Sequence, residues 1–165
     1  MISLFVSLLL AFTPQTKFLT YTNSLNKFNL RYPELWQNQT GVNAVAFLSP
    51  KESDQDAFQE NVNLMLQDLT QQPMDLNQYT ELTRQQVAQF AGNEAIVSLK
   101  DATIGGQPCK EFIFTMAYNG RDLKLKQYWF IKGQTAYLFT YTAETTQYAS
   151  YESMATDLMK SFSFF

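Results

Sequence analysis

Three groups of side chains in the 165-residue sequence have the types and spacing to do chemistry. The first is the acidic stretch of Glu52, Asp54, Asp56 and Glu60, whose oxygens could in principle ligate a hard cation. A calcium loop that starts at Asp54 needs Asp or Asn at its fifth position and Gly at its sixth, where this chain has Phe58 and Gln59. The stretch therefore reads as a solvated, charged loop. The same carboxylates make a poor acid and base pair, because no hydrophobic wall in sequence raises the pKa of one of them. The second group is Arg121, Lys124, Lys126 and Lys132, with Tyr128 and Phe130 between them. On a strand, Lys124, Lys126, Tyr128, Phe130 and Lys132 share one face, and Leu123, Leu125, Trp129 and Ile131 share the other. A basic and aromatic stripe can hold a phosphate or stack on a base, so Arg121, Lys124, Lys126 and Tyr128 are the candidate contacts for a partner or ligand. The alternative is a covered strand whose lysines snorkel to water. The third is Cys109, a lone thiol that no histidine accompanies, which reads as a core residue.

Composition removes whole classes of function. The sequence has no histidine, so Ser/His/Asp triads, Cys/His pairs and imidazole-based zinc sites are all absent. One cysteine allows neither an internal disulfide nor a CxxC redox pair. Twelve basic residues against 15 acidic ones give a formal charge of −3, which offers no footprint for a long nucleic acid. No cofactor motif is present: Gly105-Gly106 is a turn, without the glycine spacing that cradles phosphate. Asn38-Gln39-Thr40 fits the N-glycosylation pattern, which matters only in a eukaryotic secretory pathway.

The elements that must position these groups follow from periodicity and turn residues. Residues 2–12 read ISLFVSLLLAF, too short to span a bilayer at about 20 residues but suited to the core of an export signal. Residues 1–12 are thus expected to be a signal peptide, with residues 13–165 a single exported domain and no transmembrane span in the mature chain. No cysteine follows the run, so a lipid anchor is not expected. Phe18–Thr22 and Phe28–Tyr32 predict a hairpin, and Ala44–Leu48 a further strand. Ser49-Pro50-Lys51-Glu52 predicts a short helical turn. Asn61–Leu69 alternates as a strand, and Asp75 with Gln78 opens an amphipathic helix carrying Leu76, Tyr79, Leu82, Val87 and Phe90. Four strands follow, with Asn119-Gly120 the strongest hairpin signal, and a last helix sets Tyr148, Tyr151, Met154 or Ala155, Leu158 and Phe162 on one face. The strands carry apolar residues on both faces, so both faces must be covered. The expected class is α+β, an antiparallel sheet sandwiched by helices in an α/β/α arrangement.

RYPELW (residues 31–36), FLSPKESDQDAFQENVNLMLQDL (47–69), MDLNQYT (74–80), IGGQPCKEF (104–112) and the closing KSFSFF (160–165) together resemble the PsbP-like family, the Mog/PsbP fold. The resemblance implies an antiparallel sheet between helices and function without catalysis. Plant members are lumenal accessory subunits that help photosystem II retain calcium and chloride. A eukaryotic relative binds the small GTPase Ran, and bacterial relatives include envelope lipoproteins and adaptors for secreted effectors. The chain lacks the histidine that imidazole-containing metal sites in relatives would need. The expectation is a non-catalytic accessory protein of the envelope or secreted space, acting through a protein partner. The alternative is a carrier of a small molecule, lipid or metal ion, and below that an enzyme using carboxylate, Lys or Tyr chemistry.

Overall fold

Tight turns between alternating apolar strands dictate an antiparallel architecture. The computed structural model describes residues 16–165, and the apolar run with its expected export signal lies outside the described residues. Strands β1 (Phe18–Asn23) and β2 (Phe28–Pro33) form the first hairpin, and β3 (Gln37–Thr40), β4 (Ala44–Leu48) and β5 (Asn61–Asp68) follow. After helix α1 (Leu76–Ala91) come β6 (Ile96–Ile104), β7 (Gln107–Tyr118), β8 (Arg121–Lys132) and β9 (Thr135–Glu144). Helix α2 (Tyr148–Lys160) and the short β10 (Ser163–Phe164) close the chain. At the β7–β8 hairpin Asn119 and Gly120 both take positive φ, 50° and 75°, the geometry that lets a two-residue turn match strand twist.

Among the described residues every strand pairing is antiparallel. The large sheet has seven strands in the order β3-β4-β5-β9-β8-β7-β6, and a second sheet has three, β1-β2-β10. Strand parity then builds two cores. On one face Phe112, Phe114, Leu123, Leu125 and Trp129 pack with Tyr79 and Val87 of α1. On the other, Val62, Leu64, Tyr128, Phe130, Phe139 and Tyr141 pack with Ala155, Leu158 and Met159 of α2. The α/β/α sandwich is therefore as expected, one helix to each face. The second layer is thicker than two helices alone would make it, because Phe28 and Leu30 of the small sheet pack in beside α2.

Local departures have local causes. β3 and β10 carry no alternation and exist only through their ladders, β3 on β4 and β10 on β2. Residues 49–52 do not form the expected helical turn. Instead the Ser49 N–H donates to the Glu60 carbonyl at 2.8 Å, prolonging the β4–β5 ladder through the residue expected to cap and burying it. The loop that follows is held by Asp56, whose carboxylate accepts from the backbone N–H groups of Phe58 and Glu52, both at 3.0 Å. Those bonds hold its pKa below the usual carboxylate range.

Gly105 shows how tightly the segment between α2 and β10 sits on the large sheet. Its φ is +53°, and a Cβ there would overlap the Phe162 carbonyl oxygen. Gly105→Ala should therefore cost about 2 kcal/mol or more, from left-handed strain plus the forced shift of Phe162. Urea denaturation checks it. Gly106→Ala, also at positive φ but with nothing near its Cβ, should cost only the strain, about 1 kcal/mol.

Candidate functional site

Helix α1 begins at a reciprocal capping box: the Gln78 N–H donates to Asp75 Oδ1 at 2.8 Å, and the Asp75 N–H donates to Gln78 Oε1 at 2.9 Å. It is pinned to the sheet where the Trp129 indole N–H donates to Thr80 Oγ1 at 3.0 Å. That docking buries only part of the helix's apolar stripe. Tyr79 and Val87 enter the core, whereas Leu82 faces sideways and Phe90 is 59% exposed.

The sideways residues become one wall of a groove of about 560 Å³ between α1 and the sheet. Its floor is Phe114, Gln127, Leu138 and Gln67, its wall Leu82, Thr83, Gln86 and Phe90, and Leu69, Gln72 and Met74 also line it. No Lys or Arg lines it, and its sole carboxylate, Asp68, already accepts from the Thr70 N–H at 2.8 Å and from the Thr70 hydroxyl. Those two bonds lower the Asp68 pKa. The Tyr79 hydroxyl donates to the Gln67 carboxamide oxygen, and burial pushes its pKa up to about 12, so it stays protonated. Gln127 Nε2 donates to Thr140 Oγ1 at 3.1 Å, which leaves the Gln127 carbonyl oxygen without a partner.

Beyond the groove, β5, β4 and β3 contribute no residue to the core under α1. Register aligns Gln39, Ala46, Asn63, Thr140 and Gln127 in one cross-strand row, and Ala44, Met65 and Leu138 in the next. Neither row contains a charge. Met65 is 40% exposed there.

The sequence-predicted stripe on β8 falls on the opposite face, beneath α2, with the parity expected. Lys126 is 7% exposed and donates to Glu152 at 2.7 Å and to Thr156 Oγ1 at 3.3 Å. Tyr128 donates its hydroxyl to Glu111, which also takes the Lys100 ammonium at 2.9 Å. Burial raises the Tyr128 pKa, and the hydrogen bond to the Glu111 carboxylate adds to the rise. Lys124 lies 4.2 Å from the Tyr148 ring centroid, and Arg121 pairs with Glu144 while its guanidinium sits 5.6 Å from the Phe58 ring. Each of the four thus has a partner inside the protein.

The acidic stretch is dispersed. Glu52 accepts from Tyr151 at 3.1 Å and Gln147 at 3.0 Å, Asp56 binds its own loop, and Glu60 is buried with a pKa raised by that burial. Among the described residues no three acidic or Cys side chains converge in the way a metal ion requires. Cys109 is buried, its thiol pushed up to about 11 chiefly by desolvation, which keeps it protonated and unreactive. Trp36, 4% exposed, plugs the edge of the core against Tyr151. None of Arg121, Lys124, Lys126 and Tyr128, the contacts the sequence offers, lines this groove; its wall comes from the apolar stripe read along α1, at Leu82 and Phe90.

Comparison with known proteins points one way. A family profile for PsbP matches residues 16–164. No curated protein sequence matches the chain. Among solved structures, cyanobacterial PsbP (CyanoP) from Synechocystis superposes with a TM-score of 0.60 at 11% identity, covering 92% of this chain and 94% of its own. A protein of unknown function from Pseudomonas aeruginosa gives 0.59 at 18% identity, over 87% and 94% of the two chains. LpqN of Mycobacterium tuberculosis, described as involved in cell envelope biogenesis, gives 0.51 at 13% identity, over 89% and 90%. At these identities the superpositions speak for the fold, and with the sequence match across nearly all of the described residues the chain belongs to the PsbP family.

Proposed function

We propose that this PsbP-family protein is a non-catalytic accessory factor that works outside the cytoplasm by holding a protein partner against the uncharged half of its large sheet. The observation that carries the reading is that uncovered face, a charge-free surface of amide, hydroxyl and aliphatic side chains that runs into the α1 groove. Glu111, Tyr128 and Cys109 lie on the α2 face, away from the α1 groove, and the titratable groups that do line it are engaged, Tyr79 protonated and bonded to Gln67 and Asp68 held by Thr70, so the groove presents no free acid and base pair. The groove is open along its Phe90 rim, which suits a polymer more than an enclosed small molecule. The apolar run of residues 2–12 and the envelope role attached to LpqN support the extracytoplasmic setting.

The test is capture of a stoichiometric complex from native extract by surface variants of the mature chain. Met65→Lys sets a charge in the centre of the face and should weaken the complex by at least ~10-fold, about 1.4 kcal/mol. Leu25→Lys, at an 82% exposed position in the β1–β2 turn, should leave it unchanged. Equal retention by both variants would remove the sheet face from the function.

A further inference from the structure

We infer that the α1 groove receives a neutral, extended polypeptide segment of that partner, lying alongside the helix. The inference rests on the protein-contact reading above and names what the contact recognises. Charge is the first argument. The charged residues of α1, Glu81 and Arg84, pair with each other at 2.7 Å and line no part of the groove, and Asp68 is engaged by Thr70. An anionic segment would be desolvated there with nothing to answer it, and a cationic one would meet only Asp68, exposed at the end of β5, whose attraction water screens.

Hydrogen-bonding capacity is the second. Gln86 offers both the donor and the acceptor of a carboxamide, Gln67 keeps its amide donors beside the oxygen that Tyr79 engages, and Thr83, whose hydroxyl donates to the Tyr79 carbonyl at 2.9 Å, keeps an acceptor. The Gln127 carbonyl oxygen has no partner in the unoccupied protein, and a backbone N–H of the segment would supply one once the side chain turns toward the groove. Leu82, Phe90, Phe114 and Leu138 provide apolar contacts between these amides, as alternate side chains of an extended peptide require.

Dimensions agree. The part of α1 that lines the groove, Tyr79 to Phe90, spans about 17 Å at 1.5 Å per residue, and an extended chain at about 3.3 Å per residue fits roughly five residues along it. The long sheet edge is a poorer place for such a segment. β6 is bulged between Ile96 and Ser98 and carries Lys100 and Asp101 at its centre, features that discourage strand addition.

The experiment selects phage-displayed random heptapeptides on the immobilised mature chain, residues 13–165, and then titrates the enriched peptides into ¹⁵N-labelled protein. Enriched sequences should be depleted of Asp, Glu, Lys and Arg, and should shift the side-chain amides of Gln67, Gln86 and Gln127 together with the backbone of residues 82–90. Gln86→Lys and Phe90→Ser, both at exposed positions that should leave folding intact, should each weaken peptide binding at least ~10-fold. Failure to enrich any sequence, enrichment of charged sequences, shifts that map elsewhere, or maltoheptaose producing the same shifts would each overturn the inference. If the native complex is lost with Met65→Lys but survives Gln86→Lys, partner contact stands and the groove inference falls. If it survives both, the two fall together.

Discussion

Trp129→Ala should destabilise the protein by about 3–5 kcal/mol and loosen α1 before the rest of the fold. The indole is fully buried, sits edge-on to Phe112 with ring centroids 5.7 Å apart, and packs against Tyr79 at 6.4 Å. Truncation opens a cavity at the centre of the core under α1 and removes the hydrogen bond that fixes the helix's position over the strands. Since Leu82, Gln86 and Phe90 reach the groove only because the helix sits where it does, the same variant should erase the groove. Urea denaturation followed by circular dichroism measures the stability loss, and hydrogen exchange of α1 amides locates it. Thr80→Val keeps the shape, leaves the buried indole N–H unpartnered, gives up the Thr80 hydroxyl's own bond to the Leu76 carbonyl at 2.6 Å, and should cost about 1–3 kcal/mol. Equal protection of α1 in Trp129→Ala and the parent would show that the indole is not what seats the helix.

This dependence explains why the fold was legible in the sequence and the groove was not. Strand parity told which face Phe112, Phe114 and Trp129 occupy and which Phe130, Phe139 and Tyr141 occupy, because side-chain direction along a strand is a local property. Asn119-Gly120 and the Asp75–Gln78 pair announced a turn and a helix start for the same reason. How far α1 covers the sheet is a tertiary quantity. Its stripe reads alike whether Phe90 is core or rim, and only the perch on Trp129 decides. β3 shows the same limit from the other side: Gln37–Thr40 is exposed throughout, and pairing with β4 alone makes it a strand. The face of the β8 stripe is legible along the strand, but Lys126 is held by Glu152 of α2, and Tyr128 by Glu111 of β7, which also pairs with Lys100 of β6, so the ion pairs and hydrogen bonds that occupy the stripe could not be read along it.

Those ion pairs support the remaining large effect, the loss expected when Glu111 is replaced by Ala. The Glu111 side chain is 9% exposed and accepts from both Lys100 and the buried Tyr128 hydroxyl. Burial by itself would raise its pKa, but those hydrogen bonds and the nearby charges of Lys126 and Lys100 outweigh it and hold the carboxyl below its usual value. Removing it strands the Tyr128 hydroxyl and leaves Lys126 with a single carboxylate neighbour in a buried position, which should cost about 2–4 kcal/mol. Lys100→Met, by contrast, removes an ammonium that is 64% exposed and should cost at most about 1 kcal/mol. The sign with pH follows from the lowered pKa. A carboxyl that titrates lower when folded contributes stability in full above the ordinary glutamate range, near 4.3, and loses that contribution as pH falls through the folded value. The gap between the parent and Glu111→Gln should therefore be constant from pH 7 to about pH 5 and close on further acidification. Glu111→Gln keeps an acceptor for Tyr128 and should lose less than Glu111→Ala at neutral pH. A gap that persists unchanged to pH 3 would mean the carboxylate's charge adds nothing and only its shape and hydrogen bond matter.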